Sequence, residues 1–153
     1  HGYEKIYELQ YFQLSDLSKL KNQNINDDYE IRAIEFAELK NAKELMGDVY
    51  INWQNDFQYI EKSEGQHNYG VFADNKIIGL LSINEYGRIN LLWVDKKYRG
   101  KKIATSLLRN AIDELNLTKL GTSFSNNHNL FAFYKKLGFE KENIAQYEMY
   151  LTL

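Results

Sequence analysis

A chain of 153 residues, 44% hydrophobic and 26% charged, has the make-up of one folded domain with its own core rather than of a disordered segment. A formal net charge of −2 argues against a protein built around nucleic-acid phosphates, and the absence of cysteine excludes disulfides, thiol nucleophiles and cysteine metal sites. The three histidines (His1, His67, His128) stand at no metal-ligand spacing, so no metal is expected. No apolar run reaches membrane-spanning length and none of these residues forms a signal-peptide pattern, which fits a cytoplasmic protein with no membrane partner.

In chain order, residues 1–14 alternate apolar and polar from Tyr7 to Tyr11 and predict a strand. They echo the far end of the chain. Gly2-Tyr3-Glu4-Lys5 parallels Gly138-Phe139-Glu140-Lys141, and a tyrosine-rich stretch ending near a leucine follows each. Chance produces short repeats in a Tyr- and Lys-rich chain. The sharper expectation is that residues 1–28 are an N-terminal extension whose first part is the tail of a preceding, similar domain. Residues 4–12 should then form a strand with main-chain partners, because their apolar set (Ile6, Leu9, Tyr11, Phe12) is too hydrophobic to stay in water.

Residues 15–28 are polar around Leu17 and Leu20 and read as a short helix or linker. A strand is predicted at 29–35, followed by a helical stripe of Phe36, Leu39, Ala42 and Met46 that Gly47 ends. Val49, Trp53, Phe57 and Ile60 predict a second amphipathic helix. Residues 69–73 and 77–83 read as strands joined by an Asp74-Asn75 hairpin turn, and 86–88 turn the chain into a strand at 89–94. Ile103, Leu107, Leu108, Ala111, Ile112 and Leu115 set one apolar stripe at helical spacing. A strand at 119–124, a helix at 127–137 and one or two strands over 139–151 complete the order. Strand–helix–strand in the middle implies a parallel pair, with antiparallel strands on either side.

The passage from the 89–94 strand into the central helix carries the strongest chemical signal. A helix entered through a turn of this kind aims free N–H groups and its positive dipole end at one spot, which suits a phosphate or diphosphate. Arg99, Lys101 and Lys102 add charge there. The run Arg99-Gly100-Lys101-Lys102-Ile103-Ala104 resembles the acyl-CoA loop of the GNAT superfamily of N-acyltransferases, whose pattern is Arg or Gln, two residues, Gly, one residue, Gly or Ala. Lys102 replaces the central glycine. Asn127, with Tyr134 seven residues on and then Gly138-Phe139, resembles the second hallmark of that family. The resemblance covers residues 29–153. It implies an α/β (α+β) fold with a mixed, mostly antiparallel sheet, a central parallel strand pair and flanking helices.

The same resemblance implies an N-acetyltransferase that moves an acetyl group from acetyl-CoA to a primary amine, carried by a small molecule or a peptide. Without cysteine there is no acyl-enzyme to form, so the amine attacks the thioester directly within a ternary complex. Tyr134 is implied as the general acid at the CoA sulfur and Asn127 as a hydrogen-bond partner of the pantetheine arm. Leu92, Trp93 and Val94 are implied to offer main-chain groups to the pantetheine amides, with their side chains in the core. Arg99, Gly100, Lys101, Lys102, Ile103, Ala104 and Thr105 are implied to hold the diphosphate. If the central loop position needs positive φ, lysine is uncomfortable there; if not, it adds a charge beside the phosphates. The general base stays open. The strand before the loop offers Arg88, Asn90 and Asp95, while Glu35, Glu38 and Glu85 read more simply as surface carboxylates. Trp53, Asp56, Phe57 and Tyr59 fall where relatives shape the acceptor site. The alternative is a non-catalytic module of the same fold that holds acyl-CoA without turnover, and the sequence leaves a homodimer open. ATP binding by the same basic loop is weaker, because no Ser or Thr follows a Gly-Lys pair to hold Mg²⁺.

Overall fold

The computed structural model describes residues 7–21, 28–42, 65–125, 128–141 and 146–148. The elements are β1 (Tyr7–Leu14), α1 (Ser18–Lys21), β2 (Glu30–Ala33), α2 (Phe36–Asn41), β3 (Gln66–Ala73), β4 (Lys76–Asn84), β5 (Ile89–Val94), α3 (Ile103–Leu115), β6 (Leu120–Ser125), α4 (His128–Lys136), β7 (Glu140–Lys141) and β8 (Gln146–Glu148). The helix expected at 49–60 lies outside the described residues.

Among the described residues the strands make two four-stranded sheets, one in the order β2-β3-β4-β5 and the other in the order β6-β1-β7, with β8 also pairing β1. Every ladder is antiparallel. The β3–β4 hairpin turns at Asp74 and Asn75, which both take positive φ (51° and 65°). Those two residue types tolerate that conformation best after glycine, and two such residues match the twist of the flanking strands. The expected parallel pair is reduced to one isolated bridge, Arg88 with Gly121, between the start of β5 and the start of β6. The mixed α/β architecture is as expected, and among the described residues its strands form two sheets that touch at that bridge.

Of the strand expected at residues 4–12, residues 7–12 form it and it continues to Leu14, while residues 4–6 lie outside the described residues; the strand is not peripheral. β1 lies between β6 and the β7–β8 edge, running from Leu9 opposite Ser125 to Leu14 opposite Leu120. Phe12, Leu14, Leu17 and Leu20 enter the same buried cluster as Leu107, Leu108, Ala111 and Ile112 of α3. Each such side chain contributes about 1.5–3 kcal/mol when fully buried, so this segment carries part of the core.

The α3 stripe is as the spacing predicts. Leu107, Leu108 and Ala111 are fully buried, and the helix ends at Asn116, a left-handed residue (φ 54°) after which the Leu117 N–H donates to the Ile112 carbonyl. β5 is buried on both faces. Leu92 and Val94 join the cluster under α3, whereas Leu91 and Trp93 pack with Leu80, Ile34, Leu39 and Ala42 on the opposite face.

Tyr69 of β3 is buried in this core, and its hydroxyl is under the influence of the Glu114 carboxylate of α3. Burial, and then that carboxylate, push its pKa well above the usual tyrosine value. Above pH ~10 the unfolded chain releases this proton and the folded chain keeps it, so stability falls as pH rises beyond that point. Tyr69→Phe is therefore expected to flatten the alkaline decline of the urea midpoint. An unchanged alkaline limb would show that other groups set it.

Candidate active site

The bridge between the sheets is a clasp of several bonds. The Gly121 N–H donates to the Gly87 carbonyl (2.9 Å), Thr122 Oγ1 to the Ile89 carbonyl (3.2 Å) and Arg88 Nη2 to Ser123 Oγ (2.8 Å). Among the described residues no ladder continues from there between β5 and β6. Two strands clasped only at their starts leave the stretch Leu92–Val94 outside any β5–β6 ladder. Thr122 and Ser123, which help to build this junction, carry no sequence signal, since their role arises only from the meeting of distant strands.

From Val94 the chain makes a short 3-10 turn, Lys96–Tyr98. Asp95 caps it through Oδ1, which accepts from the Lys97 N–H at 3.0 Å. Asp95 is thus committed to shaping the loop. Arg99 folds back, its Nε donating to the Val94 carbonyl at 3.1 Å. Lys101 Nζ lies 5.3 Å from the centre of the Tyr98 ring, which itself meets Tyr29 edge-on at 5.7 Å. Gly100 (φ 82°) and Lys102 (φ 65°) both adopt left-handed backbone. The central position does require positive φ, and lysine holds it at the start of α3. Both the N–H (3.0 Å) and the Oγ (2.8 Å) of Ser106 donate to the Lys102 carbonyl. That bond opens the helical ladder, so the N–H groups of Ile103, Ala104 and Thr105 precede it at the positive end of the dipole. Arg99, Lys101 and Lys102 are exposed around this terminus.

Lys102→Gly therefore has two expected effects of opposite sign. Relief of left-handed strain should stabilise the fold by up to about 1 kcal/mol. Loss of the ammonium should weaken CoA binding by roughly 1–2 kcal/mol if it contacts phosphate. Thermal unfolding and calorimetry on the same variant separate the two. A tighter complex would mark the lysine as a defect of the loop.

Tyr134 is 4% exposed and shares the buried cluster of Leu92, Val94, Ile103 and Ala104. Its ring meets Phe133 and Phe139 edge-on at 5.2 and 5.1 Å. The loop, the end of β5 and the tyrosine helix thus converge on one core. Thr105 is buried beside them, and Trp93 faces the other side of the sheet. Asn127, Trp53, Asp56, Phe57 and Tyr59 lie outside the described residues.

The carboxylate candidates are dispersed. Glu35 and Glu85 are exposed, and Glu38 sits 3.6 Å from Arg32. Asn90 donates through Nδ2 to Gln66 Oε1 at 2.8 Å. Among the described residues no group of His, Asp or Glu could hold a metal ion, and no helix is long and apolar enough to cross a membrane.

The family model described as acetyltransferase (GNAT) domain matches residues 20–152. Among solved structures of this fold, a functionally unknown conserved protein from Staphylococcus epidermidis superposes with a TM-score of 0.70 at 11% identity, over 90% of this chain and 59% of that one. A tandem GNAT protein from the clavulanic acid biosynthesis pathway gives 0.61 at 17% identity, over 90% and 51%. An aminoglycoside 6′-N-acetyltransferase from Acinetobacter haemolyticus gives 0.62 at 18% identity, over 80% and 99%. The chain thus spans little more than half the length of the first two. No curated protein matches the sequence. With the family model covering all but its first strand and a few flanking residues, the chain belongs to the GNAT family of acetyltransferases.

Proposed function

We propose that the chain transfers an acetyl group from acetyl-CoA to a primary amine, by direct attack in a ternary complex. The observation that carries this reading is the start of α3, where three N–H groups ahead of the helical ladder lie among exposed Arg99, Lys101 and Lys102. That is the donor set a CoA diphosphate needs. Main-chain groups of Leu92, Trp93 and Val94 would hold the pantetheine arm, with Asn127 as a further partner, and Gly100 and Thr105 complete the loop. Tyr134 would supply the proton to the departing thiolate. The acceptor is a small-molecule or peptide amine, the first being the class named for the aminoglycoside 6′-N-acetyltransferase to which the chain is similar, and the site of action is the cytoplasm.

The Lys102 substitution and a β5 strand without a carboxylate favour a second reading, a module that holds acyl-CoA without turnover. Calorimetry with CoA, acetyl-CoA and ATP, followed by an amine panel with thiol detection, decides between them. Acetyl-CoA binding with release of CoA thiol is the expected result. Binding without transfer supports the module, and preference for ATP overturns both.

A further inference from the structure

The sheet of β3, β4 and β5 has two unlike faces. Tyr69, Val71, Leu81, Ile83 and Leu92 share a cluster with α3, while Leu80, Leu91 and Trp93 pack with Ile34, Leu39 and Ala42 on the other side. Strand alternation puts Gln66, Asn68 and Ser82 on that second face, with Phe72 and Leu80. Asn90 joins them through a bulge. Ser82 pairs with Leu91 and Ile83 with Ile89, so Asn90 is the extra residue of β5 and its side chain is turned onto Gln66. One end of an otherwise apolar face thus holds four polar, uncharged side chains.

Their bonding capacity is only partly used. Gln66 Oε1 accepts from Asn90 Nδ2 (2.8 Å) and from Ser82 Oγ (3.4 Å). Ser82 is fully buried, whereas Gln66, Asn68 and Asn90 are half-buried. Among the described residues Gln66 Nε2 and Asn90 Oδ1 make no hydrogen bond, and Asn68 Oδ1 is shut off from solvent without a partner. Turning the Gln66 and Asn90 amides over together exchanges donor and acceptor and leaves the same complement. The cluster also stands where the gap between β5 and β6 closes. The clasp holds Arg88 and Ile89 to β6, and Asn90 is the next residue along β5. A pantetheine arm that enters from the start of α3 and follows the main chain of Val94 to Leu92 runs toward that clasp and ends beside Asn90.

We propose that Gln66, Asn68 and Asn90 are the specificity-determining contacts of the acceptor, with Ser82 positioning Gln66, and that the acceptor is a small hydroxylated amine, an amino sugar or amino alcohol. The position of the cluster relative to the thioester rests on the acetyltransferase reading. A hydroxyl both donates and accepts, and so do the free groups here: an N–H of Gln66, the oxygen of Asn90, and the oxygen of Asn68 once its half-buried amide turns. An alkylamine would leave those groups unpaired, which costs more than the contact gains. A polyamine needs carboxylates, and the cluster has none. A peptide gains its main-chain bonds along a strand edge, whereas this cluster lies on the face of a sheet.

The test compares acetyl transfer to glucosamine, cyclohexylamine, spermidine and glycylglycinamide, read as release of CoA thiol. Glucosamine is expected to exceed the other three in kcat/KM by about 10²-fold, because a site built to bond a hydroxyl rejects an analogue without one. Asn68→Ala removes an oxygen that has no partner in the fold, so the variant should stay folded. Its preference for glucosamine over cyclohexylamine should fall about tenfold, with acetyl-CoA affinity kept. Equal rates for those two amines, a preference for spermidine or glycylglycinamide, or a preference that Asn68→Ala leaves intact overturns the proposal. Calorimetric titration of glucosamine in the presence of CoA reads the same site without turnover. Binding that Asn68→Ala weakens, with no transfer to any amine, supports the site and sinks the acetyltransferase reading. Transfer to other amines with no glucosamine binding supports that reading and overturns the proposal.

Discussion

Tyr134→Phe is expected to cut turnover about 10²-fold while fold and acetyl-CoA affinity stay close to those of the parent, the low end for a positioned acid. The substitution keeps the ring, and the ring makes the edge-on contacts with Phe133 and Phe139. Only the hydroxyl is lost, at a stability cost of about 1 kcal/mol. A purely structural tyrosine would give the same stability change and no kinetic one. Single-turnover measurements at saturating acetyl-CoA and amine make the distinction. Unchanged rates with chemistry limiting would sink the assignment of Tyr134 as acid.

Gly87→Ala should be the most damaging single change to the fold described here. Gly87 has φ 87°, and a Cβ there would fall on the carbonyl oxygen of Lys119, which is backbone and cannot swing aside. Left-handed strain and forced displacement together predict a loss of about 3–5 kcal/mol. The displacement strikes at the clasp, because the Gly87 carbonyl accepts from Gly121 beside the Arg88–Gly121 bridge. Urea unfolding gives the stability. Acetyl-CoA binding measured well below the transition shows whether the junction of β5 and β6 also governs the ligand, with weaker binding expected. A loss below about 1 kcal/mol would mean that the turn relaxes freely.

Much of this was legible before any fold was known. Periodicity located α3 because its stripe is regular over thirteen residues, and Asp74-Asn75 announced a hairpin because the residue types match the backbone the turn requires. The loop was legible as chemistry, since charge and helix entry are local. The reduction of the parallel pair to one bridge was not. It depends on which strand takes the place beside β6, and that place is filled by residues 7–14, more than a hundred positions away. The left-handed backbone of Lys102 was visible only as a conditional, because sequence shows the residue and not its φ. Asp95 illustrates a further limit. A carboxylate just past the β5 strand is a candidate base on paper, but its Oδ1 caps the next turn.

The placement of β1 also bears on how the chain is made. Tyr7 pairs with Glu148, so this strand leaves the ribosome about 140 residues before the partner it pairs with. At synthesis rates of ~5–20 residues per second, such a strand waits on the order of ten seconds with its apolar side chains unsheltered. Closure of so long a loop belongs to the slow, high-contact-order class of folding events. The β3–β4 and β4–β5 hairpins can form earlier, as their partners are near in sequence. Chaperone dependence should therefore follow the exposure of residues 7–14, and a permuted chain that carries this segment after residue 153 should fold faster than the natural order does.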